Sequence, residues 1–293
     1  ILGRYARLQV SGEIPHEGDR AAFNLDGSVT PSHDGQEVQA EGDLRLHRVN
    51  VRRLLSTWAD VDPLSDGFMG LAQLTAHLRL SPRSDGYELT ADEWRAELSD
   101  IALQGTAGFS GLGGPRPRFS AMMSASPVTL DRGLSQIPTT WVSKQIRSQL
   151  AEHGVDGLFT LQSMSLSWPG ESGSKVNVAG LAEVRNGRFT LHSRYPGIEA
   201  LSANIAFDSN QVRLTGLRAQ VGPVRLTGED LFITQWLTDP QIDMRMLGTA
   251  PLSGLLDAVR RIDEFPVLQE TLTRVQEASG GVEMVVHIMG QPA

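Results

Sequence analysis

The chain is 293 residues long, enough for one large domain or two ordinary ones, and its 40% hydrophobic to 20% charged composition excludes long-range disorder. With 26 Lys and Arg against 34 Asp and Glu the formal charge is −8, which argues against a nucleic-acid binder and against a basic patch for anionic lipid headgroups. There is no cysteine, so a disulfide scaffold, a thiolate metal site and a cysteine nucleophile are excluded.

Strand signals dominate in chain order. Apolar residues alternate at Phe23, Leu25 and Val29, then at Val38, Ala40, Leu44 and Leu46. A helix is predicted over Val51–Ala59, with Leu54, Leu55 and Trp58 on one face. Leu74, Ala76, Leu78 and Leu80 alternate with Thr75, His77 and Arg79, the period of a sheet with one apolar face. The charge-free stretch Ile101–Pro115 is too short and too glycine-rich to span a membrane. A proline opens a helix predicted over Pro138–Glu152, with Val142, Ile146 and Leu150 at helical spacing.

Beyond the midpoint the alternation becomes cleaner. Val176, Val178, Ala182 and Val184 share a face, Asn186-Gly187 reads as a two-residue hairpin turn, and Phe189 and Leu191 return. Leu201, Ala203, Ile205 and Phe207 lead to a turn at Asp208-Ser209-Asn210, then to Val212 and Leu214. Val221, Val224, Leu226, Leu231 and Ile233 follow. Helices are predicted over Leu252–Phe265 and Leu268–Ala278 with a break near Pro266, before a last strand carrying Val282, Met284, Val286 and Ile288. The total is about fifteen strands joined mostly by tight turns, so antiparallel meanders are expected. A loosely repeated strand-step-helix grammar at Leu44–Leu55, Met123–Leu134 and Met246–Leu256 divides the chain into β-rich halves, 1–137 and 138–293.

Residues able to carry chemistry do not form a recognisable constellation. No two of the seven histidines stand at i,i+4, and His77, His192 and His287 fall at positions expected to face solvent. Gly108-Phe109-Ser110-Gly111-Leu112 imitates a nucleophile elbow, but leucine stands where the motif needs glycine. A flexible inter-strand loop is expected there, and the glycines at 111, 113 and 114 lack the lysine of a phosphate cradle. The carboxylates Asp85, Glu88, Asp92, Glu93, Glu97 and Asp100 could serve a polysaccharide-acting enzyme, although solvated strand faces and turns explain them more simply. The expectation is therefore no catalytic residues, no metal and no cofactor. What remains is the apolar stripes. Ala76, Gly180, Ala182 and Ala203 sit among Val, Leu and Ile, making smooth aliphatic strand faces with few aromatics, better suited to acyl chains than to an interlocked sandwich.

The second half also resembles a known family. Pro138 with its short helix ending near Gly154, Gly157 opening a strand, Val184-Arg185-Asn186-Gly187-Arg188-Phe189 and Tyr195-Pro196-Gly197-Ile198 follow one another in order. Leu201–Phe207, Val212–Leu217, Val221-Gly222-Pro223-Val224, Gly248–Leu256 and Gly281–Gly290 continue the series. This string is similar to the AsmA-like superfamily, and within it to the YhdP-type proteins of Gram-negative envelopes. The resemblance covers about half the chain well and the first half only in style.

The resemblance implies a mainly β fold with a few short helices: a curled antiparallel sheet forming an open apolar groove. It further implies a non-enzymatic lipid carrier in the periplasm, part of a bridge between inner and outer membranes, with phospholipid acyl chains as its partners. The chain opens on Ile1 and shows no signal peptide, so it is expected to be a processed product or an excised piece of a longer protein. Membranes, and the inner membrane in particular, would be engaged through missing terminal segments; other envelope proteins are further possible partners. The expected groove lining is Leu74, Leu78, Leu80, Val176, Val178, Phe189, Leu191, Leu201, Ile205, Phe207, Val212, Leu214, Val282, Met284, Val286 and Ile288. Either parity of any strand could face the groove, because a one-residue slip exchanges the faces. The rival expectation is a structural or interaction module of the cell envelope with a closed β-sandwich core.

Overall fold

The computed structural model describes residues 5–16, 19–31, 37–50, 71–98, 101–130, 132, 148, 152, 154–170, 176–190, 197–234, 241–260 and 279–290. Seven strands come first: β1 (Ala6–His16), β2 (Asp19–Pro31), β3 (Val38–Asn50), β4 (Leu71–Arg83), β5 (Gly86–Leu98), β6 (Ile101–Leu112) and β7 (Arg118–Ala125). The short β8 (Val128–Thr129), then β9 (Asp156–Trp168) and β10 (Asn177–Phe189), follow. The chain continues with β11 (Ile198–Asp208), β12 (Gln211–Val221), β13 (Val224–Thr234), β14 (Gln241–Pro251), the helix α1 (Leu252–Arg260) and β15 (Gly281–Gly290).

The fold is mainly β. Strand order in the sheet follows chain order from β1 to β15, except that β8 lies off the path and pairs with β9. Every pairing whose register is resolved is antiparallel. Longer segments join β3 to β4, β8 to β9 and β14 to β15, but most of this order follows from short connections, which return the chain beside the strand it has just left. Two of them show the chemistry. Gly222-Pro223 joins Val221 to its partner Val224 with Gly222 at φ 54°, a left-handed conformation that glycine adopts without strain. At the β11–β12 turn, Asp208 Oδ1 accepts hydrogen bonds from the backbone N–H groups of Asn210 (2.7 Å) and Gln211 (2.9 Å).

The chain divides into two compact units. The first comprises Ile1–Val128, Ser135–Ser143 and Leu161–Gly180; the second comprises Thr129–Leu134, Lys144–Thr160 and Leu181–Ala293. The boundary expected between residues 137 and 138 lies outside the described residues, as do the helices expected over 51–59 and 268–278 and most of the one over 138–152. Leu252–Arg260 is helical as anticipated.

Two expectations are corrected. Asn186-Gly187 is not a hairpin turn: β10 runs through it to Phe189. Asn186 instead takes a left-handed φ of 52° inside the strand, the backbone mark of a bulge, which asparagine tolerates as turns do. Gly187 is buried against Leu201 and Val184, and a methyl group there would come within 3.1 Å of Leu201 Cβ. The second correction concerns Gly108–Leu112, which is the end of strand β6 rather than a flexible loop. Cross-strand pairing explains it: Phe109 lies opposite both Leu89 and Phe119, and the Phe109 and Phe119 rings pack with centroids 4.7 Å apart.

Bulges recur. Register shifts occur in β3–β4 between Leu46 and Val49, with Arg48 at φ 58°, and in β4–β5 between His77 and Leu78. They recur in β11–β12, with Ala200 at φ 51° and Gly216 at φ 61°, and in β13–β14 between Gly228 and Leu231. Each bulge bends its strand and sharpens the right-handed twist while returning the apolar side chains to the same face.

Candidate functional site

In the first unit the register collects the apolar side chains into rows across the strands. One row runs Val10, Leu25, Leu44, Ala76, Trp94, Gly105, Met123, Met164. A second runs Phe23, Leu46, Leu74, Ala96, Leu103, Ala125, and a third runs Leu8, Gly27, Gly42, Leu78, Ala91, Ala107, Ala121, Leu166. Leu80 stands in the row of Val29, Ala40, Leu89, Phe109, Phe119 and Trp168. The three expected lining residues of this unit's β4 therefore share one continuous face.

The second unit repeats the arrangement. Phe207 pairs with Val212 and Ile205 with Leu214; Val212 then faces Ile233, and Leu214 faces Leu231. Leu231 meets Met244, Gly228 meets Met246, and Leu226 meets Gly248. On β15, Val282 lies opposite Ala250, Met284 opposite Gly248, Val286 opposite Met246 and Ile288 opposite Met244. Buried Ala203, Leu217, Leu231 and Met246 form the centre, with Leu201, Leu214, Leu226, Ile233 and Met244 packed around them.

Of the remaining lining residues, Val178 and Phe189 are half-buried on β10, whereas Val176 precedes that strand and is 50% exposed. Leu191 lies outside the described residues, and Val286 and Ile288 are placed by register alone.

The burial pattern on these faces differs from that of a closed core. Many deeply buried positions are alanines, Ala72, Ala76, Ala96 and Ala121 in the first unit and Ala182, Ala203, Ala219 and Ala250 in the second, with Leu98, Leu217, Leu231 and Met246 the large side chains buried beside them. The large apolar side chains Leu25, Leu44, Leu46, Leu74, Leu78, Leu80, Ile205, Phe207, Val212 and Leu214 are only half-buried. In a sandwich the largest side chains interlock across about 10 Å and lose nearly all exposure. Here alanines form the floor and the taller side chains stand above it with their outer surfaces free among the described residues. The first unit's face also carries more aromatic surface than the sequence suggested. Phe109 and Phe119 meet across the β6–β7 hairpin, and the β7–β9 pairing adds Trp168 from about fifty residues further on. Trp94 Nε1 is a buried donor with no hydrogen-bond partner among the described residues.

The reverse face is polar and cross-braced. Arg7 pairs with Asp26 (3.0 Å), Arg79 with Asp92 (3.2 Å), Arg83 with Glu88, and Arg213 with Asp230 (2.8 Å). His77 spans two carboxylates, Nδ1 lying 2.9 Å from Asp43 and Nε2 lying 2.9 Å from Glu41. In the acidic run of β5, Glu88 and Asp92 are braced by arginines and Glu93 and Glu97 are exposed, with Asp85 in the preceding turn and Asp100 outside the described residues. Among the described residues no group of His, Cys, Asp and Glu is arranged to hold a metal ion, and no helix is long and apolar enough to cross a membrane. No family model matches the chain, and neither a curated protein nor a solved structure matches it.

Proposed function

We propose that the chain is a non-enzymatic lipid carrier whose apolar sheet faces shield phospholipid acyl chains from water. The observation that carries this reading is the open upper surface of these faces: alanines and a few large residues lie deep while Leu74, Leu78, Ile205 and Leu214 remain half-open. Hydrocarbon in water costs roughly 0.8 kcal/mol per CH₂, so an aliphatic surface without directional bonds lowers the penalty along its whole length. Acyl chains need no more than this, and the arrangement calls for neither a covalent step nor a cofactor. The polar reverse face, held by ion pairs, keeps the other side of the sheet in water. In the setting implied by the sequence resemblance, the carrier works in the periplasm as part of a bridge between inner and outer membranes, anchored to the inner membrane in a longer protein.

The test is direct. Chain purified from an envelope extract and treated with organic solvent releases phospholipid detectable by mass spectrometry. Ile205→Asp and Leu214→Asp each place a carboxylate on the apolar face and abolish that signal while far-UV circular dichroism is retained. Unchanged lipid occupancy in both folded variants overturns the proposal.

A further inference from the structure

The two strands that end the sheet order, β1 and β15, are built differently. β1 carries the usual deterrents to further pairing: Arg7 and Glu13 along its length and Pro15 near its end. β15 (GVEMVVHIMG) has no proline and no lysine or arginine. Its ten residues pair with β14 in one unbroken register, with no bulge to turn the free edge away. It is also apolar on both sides. Val282 and Met284 stand on the apolar face, while Val285 and Met289 project from the polar reverse at 59% and 71% exposure. Leu247, the register partner of Val285, is exposed beside it. A strand without proline, lysine, arginine or a bulge lacks the usual devices that blunt a sheet edge, and among the described residues no strand pairs with the outer edge of β15.

We propose that β15 is an interface strand that pairs antiparallel with β15 of a second copy of this chain, extending the sheet across a two-fold axis at Val285. The choice of partner follows from self-complementarity. An axis normal to the sheet keeps both apolar faces on one side only if residues of the same parity pair, so it must pass through a residue. With Val285 on the axis, Met284 faces the partner's Val286 and Val282 faces the partner's Ile288, joining apolar side to apolar side. On the reverse side Glu283 then faces the partner's His287, twice by symmetry. Moving the axis to Met284 or Val286 sets Glu283 against Val285 or Met289 instead, and the polar match is lost. Glu283 and His287 are both exposed, and His287 Nε2 lies 2.9 Å from Asp243 Oδ1 on β14, which leaves its other ring nitrogen for a partner across the axis. The exposed Val285 would meet its own symmetry mate and leave water.

The chain has no cysteine, which gives a clean test. Residues on the axis approach to about 4.5–5.5 Å between Cα atoms, within disulfide reach. Val285→Cys is therefore expected to give a disulfide-linked dimer under mild oxidation. Glu283→Cys is expected to give none, because its two copies lie roughly 13 Å apart along the strands. Sedimentation of the unmodified chain is expected to show a concentration-dependent dimer, and Val285→Lys, which puts like charges on the axis, loses it with an unchanged circular dichroism spectrum. A native chain that stays monomeric at every concentration overturns the proposal. So does a dimer that survives Val285→Lys, or cross-linking at Glu283→Cys as fast as at Val285→Cys. Lipid occupancy does not enter these readouts, so this interface stands or falls separately from the carrier function.

Discussion

Ile205 on β11 and Leu214 on β12 are register partners whose side chains stand side by side on the apolar face of the second unit, both half-buried, beside the deeply buried Leu231 opposite Leu214 on β13. The face thus has a packed centre and an open upper surface, and the two should differ in what they contribute to stability.

Truncating the centre should cost much more than truncating the upper surface. Leu231→Ala is expected to lose about 2–4 kcal/mol, the range for buried leucine, and Ile205→Ala about 1 kcal/mol. Urea denaturation of the two variants checks this; equal losses would mean that Ile205 is covered as fully as Leu231.

The bulge in β10 gives a backbone prediction. A β-branched residue at Asn186 must hold a left-handed φ, so Asn186→Val is expected to cost about 1–3 kcal/mol. Asn186→Gly should change stability by only a few tenths of a kcal/mol. Thermal or urea unfolding of both variants decides, and a neutral Asn186→Val removes the bulge.

Much of this was readable from alternation alone. Leu74, Leu78 and Leu80, and likewise Ile205, Phe207, Val212 and Leu214, share faces as their period-2 spacing requires, because a strand buried on one side must alternate. Alternation does not reveal where it is interrupted. Asn186-Gly187 has the composition of a tight turn and of a bulge equally, and only pairing on both sides decides between them. Gly108–Leu112 looked like a loop because glycine is a weak strand former, whereas Phe109 obtains its stabilisation from Phe119 and Leu89 on neighbouring strands. The clasp around His77 was equally hidden, since Glu41 and Asp43 lie more than thirty residues away and reach it through the β3–β4 register.

That clasp should make stability depend on pH near neutrality. Hydrogen bonding to Asp43 first and to Glu41 second raises the His77 pKa. Arg79 also reaches Glu41, and Glu93 is the register partner of His77 on β5. The folded chain holds this proton more tightly than the unfolded chain. The resulting stabilisation is complete below the unfolded imidazole value of about 6.5 and is lost as pH rises through the raised folded value. A urea midpoint followed across this interval should fall with rising pH in the native chain, and His77→Gln should flatten that part of the profile.

The β11–β12 turn should respond at the acid end. Hydrogen bonds from the backbone of Asn210, then Gln211, lower the Asp208 pKa. Its contribution is present above the unfolded value of about 3.9 and disappears as pH falls through the depressed folded value. Asp208→Asn retains an acceptor for the turn but cannot titrate, so its acid unfolding should lack this component. Matching acid profiles for the two proteins would show that the carboxylate does not hold the turn.

The sequential strand order has a consequence for how such a molecule is made and altered. Each strand pairs with a near neighbour in the chain, so most pairings close only short loops and few need distant loop closure. Adding or deleting two strands at a time preserves the up-and-down alternation, which makes span an adjustable quantity in much the way that repeat arrays grow by whole modules.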